Sequence, residues 1–228
     1  MIDLNCDLGE LEDAELEARL MEFITSANVA CGAHAGDERS MERTVKLALE
    51  RGVRIGAHPG YPDRARFGRV ELEMAPEEIE AAVSAQLRRL DAIVQGLGGS
   101  LVHVKPHGAL YHAAATRCEV AGAIGRAVLR WNPSAAVVGL AGSPTLAALR
   151  AMGLTAIGEG FADRIYESGG RLRPRSLAGA LITDPEAAAA QAVRLAREGA
   201  VQTICVHSDT PGAVAIAQAC RQALQAIS

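Results

Sequence analysis

The sequence of 228 residues predicts an α/β fold built on a parallel sheet. Three observations predict it: short apolar strand-like segments alternate with longer amphipathic segments, seven such units follow one another, and glycine or proline separates many of them. Strands joined by helices in this way run parallel, with right-handed crossovers. Two sheet arrangements fit the pattern, a closed TIM-like barrel of about seven units and an open doubly wound sheet. Because no linker or low-complexity segment divides the chain, we expect one domain over residues 1–228.

The predicted strands share an apolar run that is bounded by turn or cap residues. They cover residues 2–7, 26–31, 54–58, 101–107, 135–140, 155–159 and 202–207.

Residues that are typical of helix ends mark the helices between these strands. A periodic segment over residues 40–51 stops at Gly52, and glycine is the usual residue just after a helix. Pro76 opens a longer segment at its first turn. Ser143 and Asp184 each precede a proline, which is the arrangement of an N-cap followed by proline at the first helical position. These signals predict four of the helices that join the strands.

Composition limits the classes of function. The formal net charge of −4 offers no electrostatic footprint for nucleic acid. No apolar run approaches the roughly 20 residues that span a membrane. The five cysteines include no CxxC pair and cannot all pair with one another, which favours a reducing, cytoplasmic setting. The sequence also lacks a GxxxxGK[ST] phosphate loop, a GxGxxG after the first strand and a GxSxG nucleophile elbow.

Polar residues collect at the carboxyl ends of the predicted strands, where both architectures carry their functional groups. The candidates are Asn5, Asp7, Asn28, His34, His58, Lys105, His107, Glu159, Asp163, His207 and Asp209. All six histidines lie in or just after predicted strands, and we expect none on a surface helix. A structural role is the better interpretation for any single histidine, but six at one end of a sheet favour a shared polar pocket.

Lys105 is a second indication of a functional site, because only Lys46 and Lys105 among the 23 basic residues are lysines. A lysine in an apolar strand indicates a need for a compact or titratable ammonium group that arginine does not provide. The alternative is a buried lysine that is paired with Asp3 or Asp7 for structural reasons alone. Histidines with Asp7 also suit zinc or manganese, although no HExxH-type spacing is present, so metal binding is left open.

The chain resembles the LamB/YcsF family. The motifs that carry this resemblance occur in family order over nearly the whole chain: DLNCDLGE, SANVACGAHAGD, GAHPGYPD, HVKPHGALY, FADR, PRS and TICVHSDTPGA. The resemblance implies a seven-stranded parallel (β/α) barrel, TIM-like and related to glycoside hydrolase and deacetylase barrels. It also implies the activity of the A subunit of an ATP-dependent 5-oxoprolinase, which opens 5-oxo-L-proline to L-glutamate with subunits B and C and uses ATP with magnesium through the complex. One departure is Ser208, where the family usually has glycine.

Residue roles follow from the resemblance together with position. Catalysis falls to four residues: Asp7, His58 and His107 for proton transfer and Lys105 for the developing negative charge. Substrate binding falls to Asn5, Asn28, His34, Glu159, Asp163, His207 and Asp209.

Two other functions remain open at this point. One is a metal-dependent deacetylase or amidase that acts on a small amide or a carbohydrate, with Asp7 and two histidines as ligands. The other is a non-catalytic scaffold subunit, which the number of titratable groups disfavours.

Overall fold

The computed structural model describes residues 2–227 and shows seven parallel strands closed into a barrel. The strands are β1 (Asp3–Leu8), β2 (Ser26–Ala30), β3 (Arg54–His58), β4 (Leu101–Val104), β5 (Ala136–Leu140), β6 (Ala156–Phe161) and β7 (Thr203–His207). Each strand pairs with the next along the chain, and β7 pairs with β1. The pairing of first and last strands confirms the predicted barrel and rules out the open sheet.

Eight α-helices surround the barrel in the described part of the chain. They are α1 (Ala14–Leu20), α2 (Glu38–Arg51), α3 (Pro76–Gly96), α4 (Gly108–Thr116), α5 (Cys118–Trp131), α6 (Pro144–Ala151), α7 (Pro185–Arg197) and α8 (Ala213–Gln225). No helix within residues 2–227 is both long enough and apolar enough to cross a membrane.

The predicted helix ends are confirmed, and one helix starts earlier than predicted. Asp37 caps α2 by accepting a hydrogen bond from the Ser40 amide at 2.8 Å, so α2 begins at residue 38 and not at residue 40. Gly52 ends α2 with a φ of 65°, a conformation that glycine adopts without steric cost. Ser143 and Asp184 cap α6 and α7 as expected.

Strand β4 is shorter than predicted. It ends at Val104, because Pro106 has no amide hydrogen with which to continue the ladder. The segment stays extended beside β3 through two isolated bonds, from the Lys105 amide to the Ala57 carbonyl (2.9 Å) and from the His107 amide to the Pro59 carbonyl (2.8 Å). Lys105 and His107 therefore stand at the barrel mouth.

Side chains alternate along the strands, as the pleat requires. On β1, Leu4 and Cys6 are fully buried in the apolar core, whereas Asn5 and Asp7 bond to polar groups of other strands inside the barrel. All five cysteines lie within the described residues as free thiols.

The side chain of Asp3 lies at the end of the barrel opposite the mouth. Its carboxylate accepts hydrogen bonds from Ser26 Oγ (2.7 Å), from Thr203 Oγ1 (2.5 Å) and from Thr25 Oγ1, and it pairs with Arg54 (2.6 Å). Burial alone would raise the pKa of Asp3, but the three hydroxyl groups and the Arg54 charge lower it below its usual value. The network links β1 to β2, β3 and the first residue of β7.

Replacing Asp3 with asparagine is expected to lower the free energy of unfolding at pH 7 by about 1–3 kcal/mol, because hydroxyl donors lose their charged acceptor. Since folding lowers the pKa of Asp3, its contribution is present above the unfolded-state pKa and is lost as the pH falls. Urea titrations at several pH values measure this difference between wild type and Asp3→Asn. The exposed Glu186→Gln serves as the control, with a change within about 0.5 kcal/mol. A difference that grows as the pH falls would contradict the account.

Candidate active site

A cavity of about 560 Å³ opens at the carboxyl ends of the strands. The titratable side chains that line it are Asp7, Glu10, His58, Arg69, Lys105, His107, Tyr111, His112, Arg164, Arg173, Arg175, His207 and Asp209. Such a concave site with convergent polar groups is the usual place for catalysis in a barrel of parallel strands.

Lys105 lies at the base of this cavity and is 2% exposed. Its Nζ is 2.8 Å from Asp7 Oδ1 and 2.9 Å from Glu159 Oε1. It also donates to Asn5 Oδ1 (3.2 Å) and contacts Cys205 Sγ (3.1 Å). Burial favours the neutral amine, but the charges of Asp7 and Glu159 outweigh it and raise the pKa of Lys105 well above its usual value. Lys105 is therefore held as an ammonium ion, paired with Asp7 and not with Asp3.

The two oxygens of Asp7 have different surroundings. Oδ1 accepts from Lys105 and from Asn28 Nδ2 (2.9 Å), whereas Oδ2 faces His58 Nε2 at 3.4 Å and His207 Nε2 at 4.0 Å. Burial raises the pKa of Asp7, but the charges of His58 and Lys105 outweigh it and hold the pKa well below its usual range. One oxygen is thus fixed, and the other is directed at two imidazoles.

Glu10 lies beside Asp7 and was not among the site residues predicted from the sequence. Its Oε1 is 2.8 Å from His107 Nδ1, 3.0 Å from His34 Nε2 and 3.5 Å from His58 Nε2. Gly9, with a φ of 75°, turns the chain directly after β1, so strand alternation gives no hint of where Glu10 points. The signal that was available is its position in the DLGE motif.

His207 is oriented by Asp163, which is fully buried. Asp163 Oδ1 accepts from His207 Nδ1 (3.0 Å), and Asp163 Oδ2 accepts from the His207 amide (3.0 Å) and from Thr210 Oγ1 (2.5 Å). The imidazole also stacks on Phe161 with a centroid separation of 5.5 Å. Because a carboxylate holds Nδ1–H, the free Nε2 is the nitrogen that faces Asp7 and the cavity.

Arginines form the outer part of the cavity. Arg175 Nη1 lies 2.9 Å from both carboxylate oxygens of Asp209, and Arg69 bonds the same carboxylate at 2.5 Å. Arg164 is buried and donates to the Arg173 carbonyl at 2.6 Å. These arginines lie outside the regular strands and helices, in segments without periodicity, so their grouping could not be predicted from the sequence.

The predicted site residues divide into two groups. Six line the cavity: Asp7, His58, Lys105, His107, His207 and Asp209. The other five, which were predicted to bind substrate, do not line the cavity and lie behind these groups: Asn5, Asn28, His34, Glu159 and Asp163. Each of the five bonds to a lining side chain or to one that holds it, so the structure places them as supports of the cavity wall.

Four of the six histidines line the cavity that was predicted to be shared by all of them, namely His58, His107, His112 and His207, whereas His34 and His103 do not. His112 lies on α4 and is exposed, so the expectation that none occupies a surface helix was wrong; the helix begins directly after His107, one turn earlier. His103 is buried deeper in the barrel, where its Nε2 lies 2.7 Å from Asn28 Oδ1.

The LamB/YcsF family profile matches residues 2–228. The chain belongs to the LamB/YcsF family. Among its LamB/YcsF relatives, the 5-oxoprolinase A subunit of Heliobacterium modesticaldum is 46% identical over 98% of this chain and 94% of its own length. The protein of the same name from Chloroflexus aggregans is 49% identical over 99% and 95%.

Solved structures agree with this assignment. The lactam utilization protein from Thermus thermophilus superposes with a TM-score of 0.90 at 40% identity, and the match covers 99% of this chain and 96% of that one. The catalytic domain of a peptidoglycan N-acetylglucosamine deacetylase from Eubacterium rectale is 12% identical, with a TM-score of 0.52 over 100% and 84% of the two chains. The second likeness concerns the barrel fold alone.

Replacing Lys105 with methionine is expected to lower the free energy of unfolding by about 3–5 kcal/mol, because Asp7 and Glu159 become unpaired buried carboxylates. Adding Glu159→Gln to that variant is expected to recover part of the loss. Urea unfolding at pH 7 measures both changes. The control is Lys46→Met, since that side chain is 55% exposed and in a surface pair with Glu42. A loss below about 1 kcal/mol for Lys105→Met would contradict the pairing as described.

Proposed function

We propose that this chain is the lactam-opening subunit of an ATP-dependent 5-oxoprolinase, and that it converts activated 5-oxo-L-proline to L-glutamate together with subunits B and C. The names of the relatives at 46% and 49% identity support the substrate. The observation that carries the proposal is the arrangement of Asp7, His207 and Lys105 around one cavity, because these are a base, an acid and a cation within reach of one small substrate. A cytoplasmic location fits this activity and stays a prediction.

The chemistry requires activation of the lactam before it opens. A five-membered lactam is a stable amide, and ATP activates it by phosphorylation of the carbonyl oxygen. The sequence has no phosphate loop of the GxxxxGK[ST] type, so we assign ATP and magnesium binding to the complex and not to this chain alone. This chain then performs the hydrolytic half.

In the proposed reaction, water adds to the activated carbonyl carbon and loses a proton to Asp7 Oδ2. The carbon–nitrogen bond breaks as the ring nitrogen takes a proton from the imidazolium form of His207 at Nε2, which Asp163 holds in place. The hydroxyl group left on the carbon gives its proton to the neutral imidazole as the carbonyl of the acyl phosphate forms. A second water cleaves the resulting acyl phosphate to give glutamate and inorganic phosphate. Lys105 keeps Asp7 ionised at 2.8 Å and offers a positive charge to the oxyanion.

His58 and His107, predicted from sequence to transfer protons, have no such step in this proposal. Each uses one ring nitrogen on a backbone carbonyl, Lys105 O at 2.7 Å and Phe67 O at 2.9 Å respectively. Their other nitrogens face each other and Glu10. Asp7 and His207 are the groups with a free atom directed at the substrate.

The arginines at the mouth fit the negative charge of the substrate. 5-Oxoproline carries a carboxylate, and its activated form carries a phosphate in addition. Arg69 and Arg175 each bond to Asp209 with part of the guanidinium group, which leaves further N–H donors for an anion. We therefore assign recognition of the substrate carboxylate to these two arginines, with Asp209 fixing their position.

A metal-dependent amidase or deacetylase is the second candidate, and one observation favours it: Glu10, His34, His58 and His107 are grouped closely enough to hold a metal ion. The two candidates differ in one requirement. An amidase of that kind turns over substrate without ATP and without partner subunits, whereas the proposed subunit does not.

The first test is reconstitution. The purified chain alone is expected to release neither glutamate from 5-oxoproline nor phosphate from ATP, because the lactam is not activated. Adding authentic subunits B and C with ATP and magnesium is expected to give coupled release of both products. ATP-dependent glutamate formation by the chain alone would refute the division of labour, and ATP-independent amide hydrolysis would favour the amidase.

The second test concerns Lys105. The variant Lys105→Arg keeps the charge, but its planar guanidinium is larger than the ammonium group in a site that is 2% exposed. We expect kcat of the reconstituted complex to fall at least about 10²-fold, as when one oxyanion donor is lost, with thermal unfolding still cooperative. Lys46→Arg is the matched control, since it changes the other lysine of the chain, which is exposed. Near-wild-type turnover by Lys105→Arg would remove Lys105 from the mechanism.

A further inference from the structure

Two backbone carbonyls fix the hydrogens of His58 and His107. His58 Nδ1 lies 2.7 Å from the Lys105 carbonyl oxygen, and His107 Nε2 lies 2.9 Å from the Phe67 carbonyl oxygen. A carbonyl oxygen only accepts hydrogen bonds, so both of these ring nitrogens carry hydrogen. In the neutral rings, the opposite nitrogens, His58 Nε2 and His107 Nδ1, therefore hold lone pairs.

Those two lone pairs converge on a carboxylate. His58 Nε2 and His107 Nδ1 are 3.0 Å apart, and Glu10 Oε1 is 3.5 Å from the first and 2.8 Å from the second. The three side chains are nearly excluded from solvent, with exposures of 1%, 7% and 5%. With both rings neutral, these three acceptor atoms would repel one another, so the cluster needs a positive charge at its centre, either a proton on one imidazole or a metal ion.

His34 is a support of this cluster and not a member of it. Its ring stacks on His107 with a centroid distance of 3.7 Å and an interplanar angle of 5°, and two parallel rings cannot both direct a lone pair at one ion in their planes. His34 Nε2 instead lies 3.0 Å from Glu10 Oε1, where it donates a hydrogen bond and fixes the carboxylate. The Nδ1 atom of His34 then carries no hydrogen and needs no acceptor, in agreement with its lack of a hydrogen-bond partner among the described residues.

We propose that Glu10, His58 and His107 form a binding site for one divalent cation of the zinc class. Two imidazole nitrogens and one carboxylate oxygen are a ligand set of catalytic zinc sites, which keep a fourth position open. Tetrahedral ligands at about 2.0–2.1 Å from zinc lie about 3.3 Å apart, and the three separations here bracket that value. The carbonyls that hold His58 and His107, and His34 on Glu10, are the outer partners that such ligands normally have.

The three side chains and Asp7, whose Oδ2 is 3.4 Å from His58 Nε2, all line the cavity, so a cation held by them would be reached from it. A cation bound there would polarise a water molecule or a carbonyl oxygen of the substrate. The inference does not depend on the proposed function, because metal binding is measured on the isolated chain without substrate, ATP or partner subunits.

The test is metal analysis of the untagged full-length chain. Protein stripped with a chelator is titrated with zinc by calorimetry, and its thermal unfolding is followed with and without zinc. The expected result is one zinc per chain, together with an increase in the unfolding temperature, because the ion binds the folded chain.

Two variants identify the ligands. Glu10→Gln and His107→Gln are each expected to weaken zinc binding by more than the roughly 10- to 100-fold that loss of an outer partner costs. His112→Gln, which removes the exposed histidine at the mouth, is expected to bind like wild type. Circular dichroism of each zinc-free variant establishes that the barrel has folded.

Two results would overturn the proposal. One is wild-type protein with no saturable zinc binding tighter than about 0.1 mM, which would leave a proton as the cation shared by Glu10 and the two imidazoles. The other is folded Glu10→Gln and His107→Gln with wild-type affinity, which would place the ion elsewhere. Either result leaves the reconstitution assay unaffected, so failure of the metal site and failure of the proposed function are distinguishable.

Discussion

The ammonium group of Lys105 is buried at the base of the cavity, and the polar structure around it follows from that burial. A charge that is 2% exposed needs opposite charges in direct contact, and Asp7 and Glu159 supply them from β1 and β6. Those carboxylates need donors in turn, which Asn5 and Asn28 provide. Each of these buried polar groups thus depends on another for a bonding partner. At the end of the barrel that faces the cavity, one oxygen, Asp7 Oδ2, is directed at the cavity.

Hydrogen-bond partners likewise fix the orientation of the two histidine groups on either side of Asp7. On one side, Asp163 fixes His207 through Nδ1, so that Nε2 faces Asp7. On the other side, backbone carbonyls fix His58 and His107, so that their remaining nitrogens face each other and Glu10. The first arrangement suits proton transfer, and the second suits a bound cation. Neighbouring groups of one residue type therefore take different roles because different partners hold their hydrogens.

Much of this could be predicted from the sequence, for local reasons. The alternation of strands and capped helices predicts the parallel sheet, and the resemblance of motifs such as HVKPHGALY predicts its closure into a barrel. The polar residues Asp7, Lys105 and His207 were predicted to lie at the barrel mouth because each lies at or near the carboxyl end of a predicted strand. The rarity of lysine separated Lys105 from the arginines of the surface.

What could not be predicted depends on contacts between distant segments. Glu10 was missed because Gly9 reverses the chain after β1, and its three histidine neighbours come from three other segments. Arg69 and Arg175 both bond to Asp209, and all three residues lie in loops without periodicity. The supporting position of Glu159 and Asp163 could not be predicted from the sequence either, because the depth of a side chain in the barrel is set by strand stagger and not by residue type.

The most direct measurement of the central claim is the rate of glutamate formation by the reconstituted complex that carries His207→Gln. If Asp7 and His207 open the lactam, this rate falls by about 10²- to 10⁴-fold while the variant chain keeps its circular dichroism spectrum and its association with the partners. Glutamate formation at the wild-type rate by the folded, assembled variant would contradict the account, because the proton would then reach the ring nitrogen from another group.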